Sequence, residues 1–134
     1  MTLVDSGVEF LPDDACKNLL ASAAIGRVAI TMSALPVILP VNFTVLDDDI
    51  VFLTGEGTKL RAALEQAVVA FEVDDFDIPM RTGWSVLAVG VACEITDEDE
   101  LAQVRKLDLR PFAGGDRTHY VRIRPEFYSG RRII

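Results

Sequence analysis

The middle of the chain leaves it little freedom. Pro36 to Val45 is almost continuously apolar, Asp47-Asp48-Asp49 interrupts the run, and Ile50 to Leu53 resumes it. Two apolar segments of strand length joined by a tight acidic turn predict an antiparallel hairpin. Near-continuous apolarity in the first segment predicts a strand buried on both faces. Pro40 sits inside it. Because proline cannot donate to a ladder, it predicts an edge, a bulge, or a place where something other than a strand pairs. The hairpin runs on into Thr54-Gly55-Glu56-Gly57-Thr58-Lys59 and a short helix with Leu60, Ala63, Leu64 and Ala67 as its apolar stripe.

Further strands are predicted on both sides: Arg27 to Met32, Val68 to Val73, Trp84 to Ile95 with Gly90 as a bulge, and His119 to Ile123 extended through Pro125 to Ile134. One helix follows Pro12-Asp13-Asp14, with Cys16, Leu19, Leu20, Ala23 and Ala24 at helical spacing. Another starts at Thr96 to Glu100, where Thr96 and Asp99 are spaced as a capping box and Leu101, Val104 and Leu107 would face the core. Met1 to Pro12 reads as a surface lead-in, Asp74 to Asp77 as a solvated turn, and Pro111 to Asp116 as a loop. Hairpin-linked strands without βαβ alternation predict a mainly β (α+β) fold. The expected form is a six- to seven-stranded antiparallel split β-barrel with short flanking helices, one domain over residues 1–134.

The charge balance, 13 − 21 = −8, argues against nucleic acid or an anionic membrane as a partner. Any anionic ligand then needs a local cationic pocket. Cys16 and Cys93 have no CxxC or secretory context and read as reduced core residues. A single histidine, His119, predicts no metal site and no hydrolase triad. No apolar run reaches the length of a membrane helix, and the expected location is the cytoplasm.

Thr54 to Lys59 puts a hydroxyl, a lysine and a helix start together, a combination that suits a phosphate. The alternative makes Thr58 a helix cap and Lys59 a solvated lysine, since the GxxxxGK[ST] spacing is absent. Arg27 could clamp the same phosphate, or pair with one of the many acids. Asn42 could read a ring edge with its amide, or satisfy a bend. Trp84 and Ser85 could border a flat aromatic ligand, or Trp84 could belong to the core. Arg131 and Arg132 could close a pocket or pair with acids.

In order and spacing, Gly26-Arg27-Val28-Ala29, Pro36 to Phe43, Val51 to Thr54 with Gly57-Thr58-Lys59, Gly83 to Gly90, and Val121 to Pro125 with Gly130-Arg131-Arg132 form a set. This set resembles the pyridoxamine 5′-phosphate oxidase-like family of FMN-binding split barrels, in its small bacterial members. The resemblance implies a homodimer with cofactor at the subunit interface. It implies that Thr58 and Lys59 hold the FMN phosphate with Arg27 as helper. Leu39, Pro40, Val41, Asn42, Leu53 and Thr54 would line the ribityl chain and ring. Trp84 and Ser85 would approach the flavin, from the partner chain. The basic substrate motif of the true oxidases is not evident near Arg131 and Arg132. The expected activity is therefore hydride or electron transfer to a small organic substrate, with no catalytic acid or base named. The alternatives are a deazaflavin (coenzyme F-420)-dependent reductase, which would want more cations than Arg27, Lys59 and Arg61, and a protein that only sequesters flavin.

Overall fold

The computed structural model describes residues 3–5, 7–54, 58–109 and 119–134, with residues 3–5 and 58–59 as backbone alone. Gly55 to Gly57 of the Thr54-to-Lys59 loop and the loop expected at Pro111 to Asp116 lie outside the described residues.

The elements in order are β1 (Leu3–Asp5), β2 (Val8–Leu11), α1 (Asp13–Ser22), β3 (Ile25–Met32), β4 (Leu35–Leu46), β5 (Asp49–Thr54), α2 (Thr58–Leu64), β6 (Ala67–Asp77), β7 (Thr82–Glu94), α3 (Glu98–Val104) and β8 (His119–Ile133). All pairings are antiparallel, in the order β1-β2-β8-β5-β4-β3-β6-β7, and β8 also pairs β7. That extra pairing closes β3, β6, β7, β8, β5 and β4 into a barrel. The split-barrel expectation is met, and β1 and β2 are additional.

Those two strands correct the lead-in reading. β8 outruns β5, which it pairs only from His119 to Ile123, and β2 takes the vacated edge from Gly130 to Ile133. The strand state of Val8 to Leu11 comes from that edge and not from its own short pattern. Near the middle of β8 the ladder with β7 slips between Val89 and Gly90, the expected bulge. A Cβ on Gly90 would stand 2.0 Å from the Arg124 carbonyl oxygen, so only glycine allows this approach.

The tight turns are two-residue and left-handed. Asp47 and Asp48 have φ of 51° and 68°, as a type I′ hairpin requires, and Asp49 already belongs to β5. Ser33 and Ala34 repeat the conformation between β3 and β4, with φ of 51° and 65°. The acidic segment after Val73 is strand and not turn: β6 runs to Asp77, and residues 78–81 make the reversal. Asp97, not Thr96, caps α3, accepting from the Glu100 N–H at 3.1 Å. Pro12 precedes α1 without a side-chain cap, and Asp13 and Asp14 meet its dipole; Ala24 lies past the helix end, exposed.

The barrel interior holds Val28, Ile30, Phe43, Ile50, Phe52, Phe71, Val73, Val86, Ala88, Val121 and Ile123. Phe43 and Phe71 meet edge to face at 4.8 Å. Cys16 and Leu20 of α1 and Leu64 of α2 join this core. Outside the wall, Val51, Ile95 and Val104 form a second cluster with Leu101, Leu107 and Tyr120 packed against it. β5 is thus the strand buried on both faces, barrel core within and α3 without. The sequence assigned that role to Pro36 to Val45. β4 instead leaves Ile38 66% exposed, because no described element covers its outer face, and Leu35, at the end of its inner face, is equally exposed.

Candidate functional site

The split lies where β4 and β5 part. Their ladder stops at Phe43–Phe52, although the same register continued would set Asn42 against Leu53 and Val41 against Thr54. Among the described residues, β4 from Leu35 to Asn42 pairs with β3 on one side only. Pro40 falls in this stretch, where its missing N–H costs no ladder bond on the open side. Leu39 to Asn42 and Leu53-Thr54 therefore stand at the two lips of one opening. Alternation divides the first lip: Val41 is buried and Leu39 packs on the core, while Pro40 is exposed on the outer face beside Arg27, its cross-strand partner. Asn42 shares that outer face with Ile25. Thr54 is buried at 6% exposure.

Past Thr54 the chain enters α2, whose first two residues are Thr58 and Lys59; their side chains lie outside the described residues. Leu60 and Ala63 pack toward the core beside Leu64. A cleft of about 550 Å³ separates α2 from the β3–β4 hairpin, lined by Thr31, Met32, Ser33, Leu35, Val37, Ala62 and Ala63. The size suits a small organic ligand. None of the described residues expected from sequence lines this cleft; Leu39 to Asn42 and Leu53-Thr54 stand at the lips of the opening instead.

Arg27 takes the acid-pairing alternative. Its Nη1 reaches Glu72 Oε1 and Asp74 Oδ2, each at 3.4 Å. Burial and the adjacent Asp74 push the Glu72 carboxyl up to about 7, and Arg27 opposes that rise. Asp74 faces Ser85 across the β6–β7 ladder, and Ser85 faces Arg131 on β8. Arg27, Ser85 and Arg131 thus share one polar band on the outer face. Trp84, one residue from Ser85, points the other way and packs against the core. Arg132 also leaves the band, pairing with Glu9 at 3.1 Å.

A second polar cluster was not legible in the sequence. Arg61 of α2 and His119 of β8 both bond Glu94 at the end of β7, at 3.0–3.1 Å and 3.0 Å. Burial alone would raise the Glu94 carboxyl, but the His119 and Arg61 hydrogen bonds outweigh it and hold it below its usual range. His119 is the cross-strand partner of Thr54, so the late strand brings the histidine to the lip of the opening. Separations of 25 and 33 residues gave no local signal for this contact. Among the described residues, no group of three or more His, Cys, Asp or Glu is placed to hold a metal ion. No described helix is long and apolar enough to cross a membrane.

The outer face is the remaining feature. Ile38, Ala29, Ala70, Val89 and Phe127 follow one another across β4, β3, β6, β7 and β8. Ile38, Phe127 and nearby Val68 are 66%, 53% and 70% exposed. The opening thus has apolar Leu39 and Val41 on its inner side, the acid-paired Arg27 beside Pro40, and an apolar row on the outer face.

Comparison with known proteins agrees with this fold. A family model described as pyridoxamine 5′-phosphate oxidase matches residues 12–132. An uncharacterized protein of Mycobacterium tuberculosis is 39% identical over 129 residues, 92% of this chain and 84% of that protein. The structure of the FAD binding protein from Mycobacterium smegmatis superposes with a TM-score of 0.79 at 39% identity, covering 93% of this chain and 99% of that one. A conserved protein of unknown function from Corynebacterium diphtheriae gives a TM-score of 0.81 at 30% identity, covering 96% and 100%.

Proposed function

The chain belongs to the pyridoxamine 5′-phosphate oxidase family, and from that premise we propose that it binds a flavin nucleotide at the split between β4 and β5 and passes electrons to a small organic substrate. The observation that carries the reading is the parted ladder: β4 keeps an open edge at Leu39 to Asn42, facing the Leu53-Thr54 lip that leads into α2. In this reading the flavin ring and ribityl chain follow the open edge. The phosphate end meets Lys59 and Thr58, with Arg27 turning from its acids to help. Ser85, with Trp84 behind it in the core, would come from a second copy seated on the apolar face around Ile38 and Phe127.

The flavin, once bound, supplies the hydride or electron transfer. The chain's own residues hold its anionic end, orient its ring and exclude water from one side of it. Thr54, buried beside His119, fixes the inner lip.

FMN is the cofactor that the resemblance implies, with its phosphate at Thr58 and Lys59. A second reading, FAD, is favoured by the M. smegmatis relative, which is named for binding it. Fluorescence-quenching titrations with FMN, FAD and deazaflavin F-420 decide between them. Saturable quenching by a flavin at micromolar concentration is expected; no quenching by any of the three would overturn the proposal. Stopped-flow reduction of the bound flavin by a nicotinamide donor, then reoxidation by candidate acceptors, separates an enzyme from a protein that only sequesters flavin.

A further inference from the structure

We propose that Glu72 and Asp74 form an acid pair that competes with the flavin phosphate for Arg27, so that cofactor binding draws a proton from solvent onto the pair. The inference rests on the reading that Arg27 meets the phosphate. Glu72 and Asp74 lie two residues apart on β6, so both side chains stand on the outer face. A single guanidinium nitrogen serves both carboxylates, and both contacts are long at 3.4 Å. Two negative charges share one positive charge, and the cluster carries a net negative charge while both acids are ionised.

Other groups around the cluster do little to relieve it. Across the β6–β7 ladder Glu72 faces Leu87 and Asp74 faces Ser85, neither of which titrates. One strand further, on β8, stand Ser129 and Arg131. On β4 the outward neighbours are Ile38, Pro40 and Asn42. On β3 the outward residues near Arg27 are Ile25 and Ala29. Among the described residues, Arg27 and Arg131 are the cations of this band, and only Arg27 reaches the acids.

A phosphate arriving at Arg27 therefore meets two carboxylates at close range. It must either tolerate like-charge repulsion or find them partly neutralised. Protonating one acid lets the two share a hydrogen bond and frees the guanidinium. Glu72 is poised for this, because its carboxyl already titrates at about 7 with Arg27 in place, and losing Arg27 raises it further. Uptake is therefore greatest above neutrality and fades as pH falls below 7, where Glu72 is already protonated. Affinity falls as pH rises through the same window, by up to about tenfold per pH unit for a one-proton linkage.

The test is calorimetric titration of the full chain with FAD at pH 7.5–8 in buffers of different ionisation enthalpy. FAD is the first probe because its pyrophosphate has no ionisation in this range. FMN is the second: its phosphate ionises near pH 6 and would release a proton on binding there, the opposite sign. The expected result is an uptake of about half a proton or more. It should be lost in Glu72→Gln and reduced in Asp74→Asn, while both variants still bind, the first without pH dependence and the second with a weaker one. Binding without uptake, or uptake that survives Glu72→Gln, overturns the inference and leaves the flavin reading standing. No binding of either nucleotide overturns both.

Discussion

Arg61 of α2 and Glu94 of β7 are joined twice, Nε and Nη2 of the arginine both reaching Oε1 of the glutamate, at 3.1 and 3.0 Å. The other Glu94 oxygen meets His119 Nδ1 at 3.0 Å. One carboxylate therefore ties the short helix after the opening to two barrel strands.

Replacing Glu94 by Gln should loosen that tie and lower stability by about 1–2 kcal/mol, after allowing for partial solvent screening. The sign of the pH dependence follows from the lowered Glu94 pKa. A depressed carboxyl contributes stability above its ordinary value of 4.5 and loses it as pH falls through the lower folded value. Urea melts of wild type and Glu94→Gln should differ at pH 7 and converge as pH falls below 4.5 through the lower folded value. A difference unchanged from pH 7 to pH 3 would refute the charged role of Glu94.

Ala34 holds φ of 65° in the β3–β4 turn, where an L-residue is strained and glycine is not. Ala34→Gly should raise stability by roughly 0.5–1 kcal/mol, net of the extra freedom it gives the unfolded chain. The readout is the urea midpoint, and a lower midpoint would count against strain at this turn.

Ile38 is the most exposed member of the apolar row on the outer face, at 66%. If a second copy covers that row, Ile38→Glu places a charge in a desolvated contact and should shift the protein to monomer. Sedimentation velocity at micromolar concentration gives the answer, with circular dichroism to confirm an intact barrel. Wild-type protein that sediments as a monomer would remove the premise.

Lys59→Ala should weaken flavin binding by about tenfold to a hundredfold, the worth of one charge-assisted hydrogen bond to phosphate. Riboflavin, which has no phosphate, should bind wild type and variant alike. An unchanged FMN dissociation constant would withdraw Lys59 from the site.

The hairpin at Pro36 to Leu53 was legible because run, turn and return run are all local. The Gly90 slip and the extension of β8 through Ile133 were legible for the same reason. Other features depended on partners far away in sequence. Asp74 to Asp77 reads as a turn until β7 is laid beside it, when each residue gains a ladder partner from Ser85 to Thr82. Burial on both faces was given to β4 and belongs to β5, since only the position of α3 decides which strand is covered twice. The resemblance grouped Leu39 to Asn42 with Leu53-Thr54, which stand at the two lips of the opening. It did not separate the inward Leu39 and Val41 from the outward Pro40 and Asn42, because facing alternates residue by residue. The Glu94 cluster was out of reach because it takes one residue from each of three elements.

β8 follows in the chain every strand it pairs with. Until it is synthesised, the outer edges of β5 and β7 have no neighbour, and the ring is an open ribbon. β5 carries Ile50, Val51, Phe52 and Leu53 in succession, and β7 carries Val86, Val89 and Val91. Such edges recruit foreign strands. On the ribosome, the nascent chain thus carries its greatest aggregation hazard just before completion of the strand that removes it.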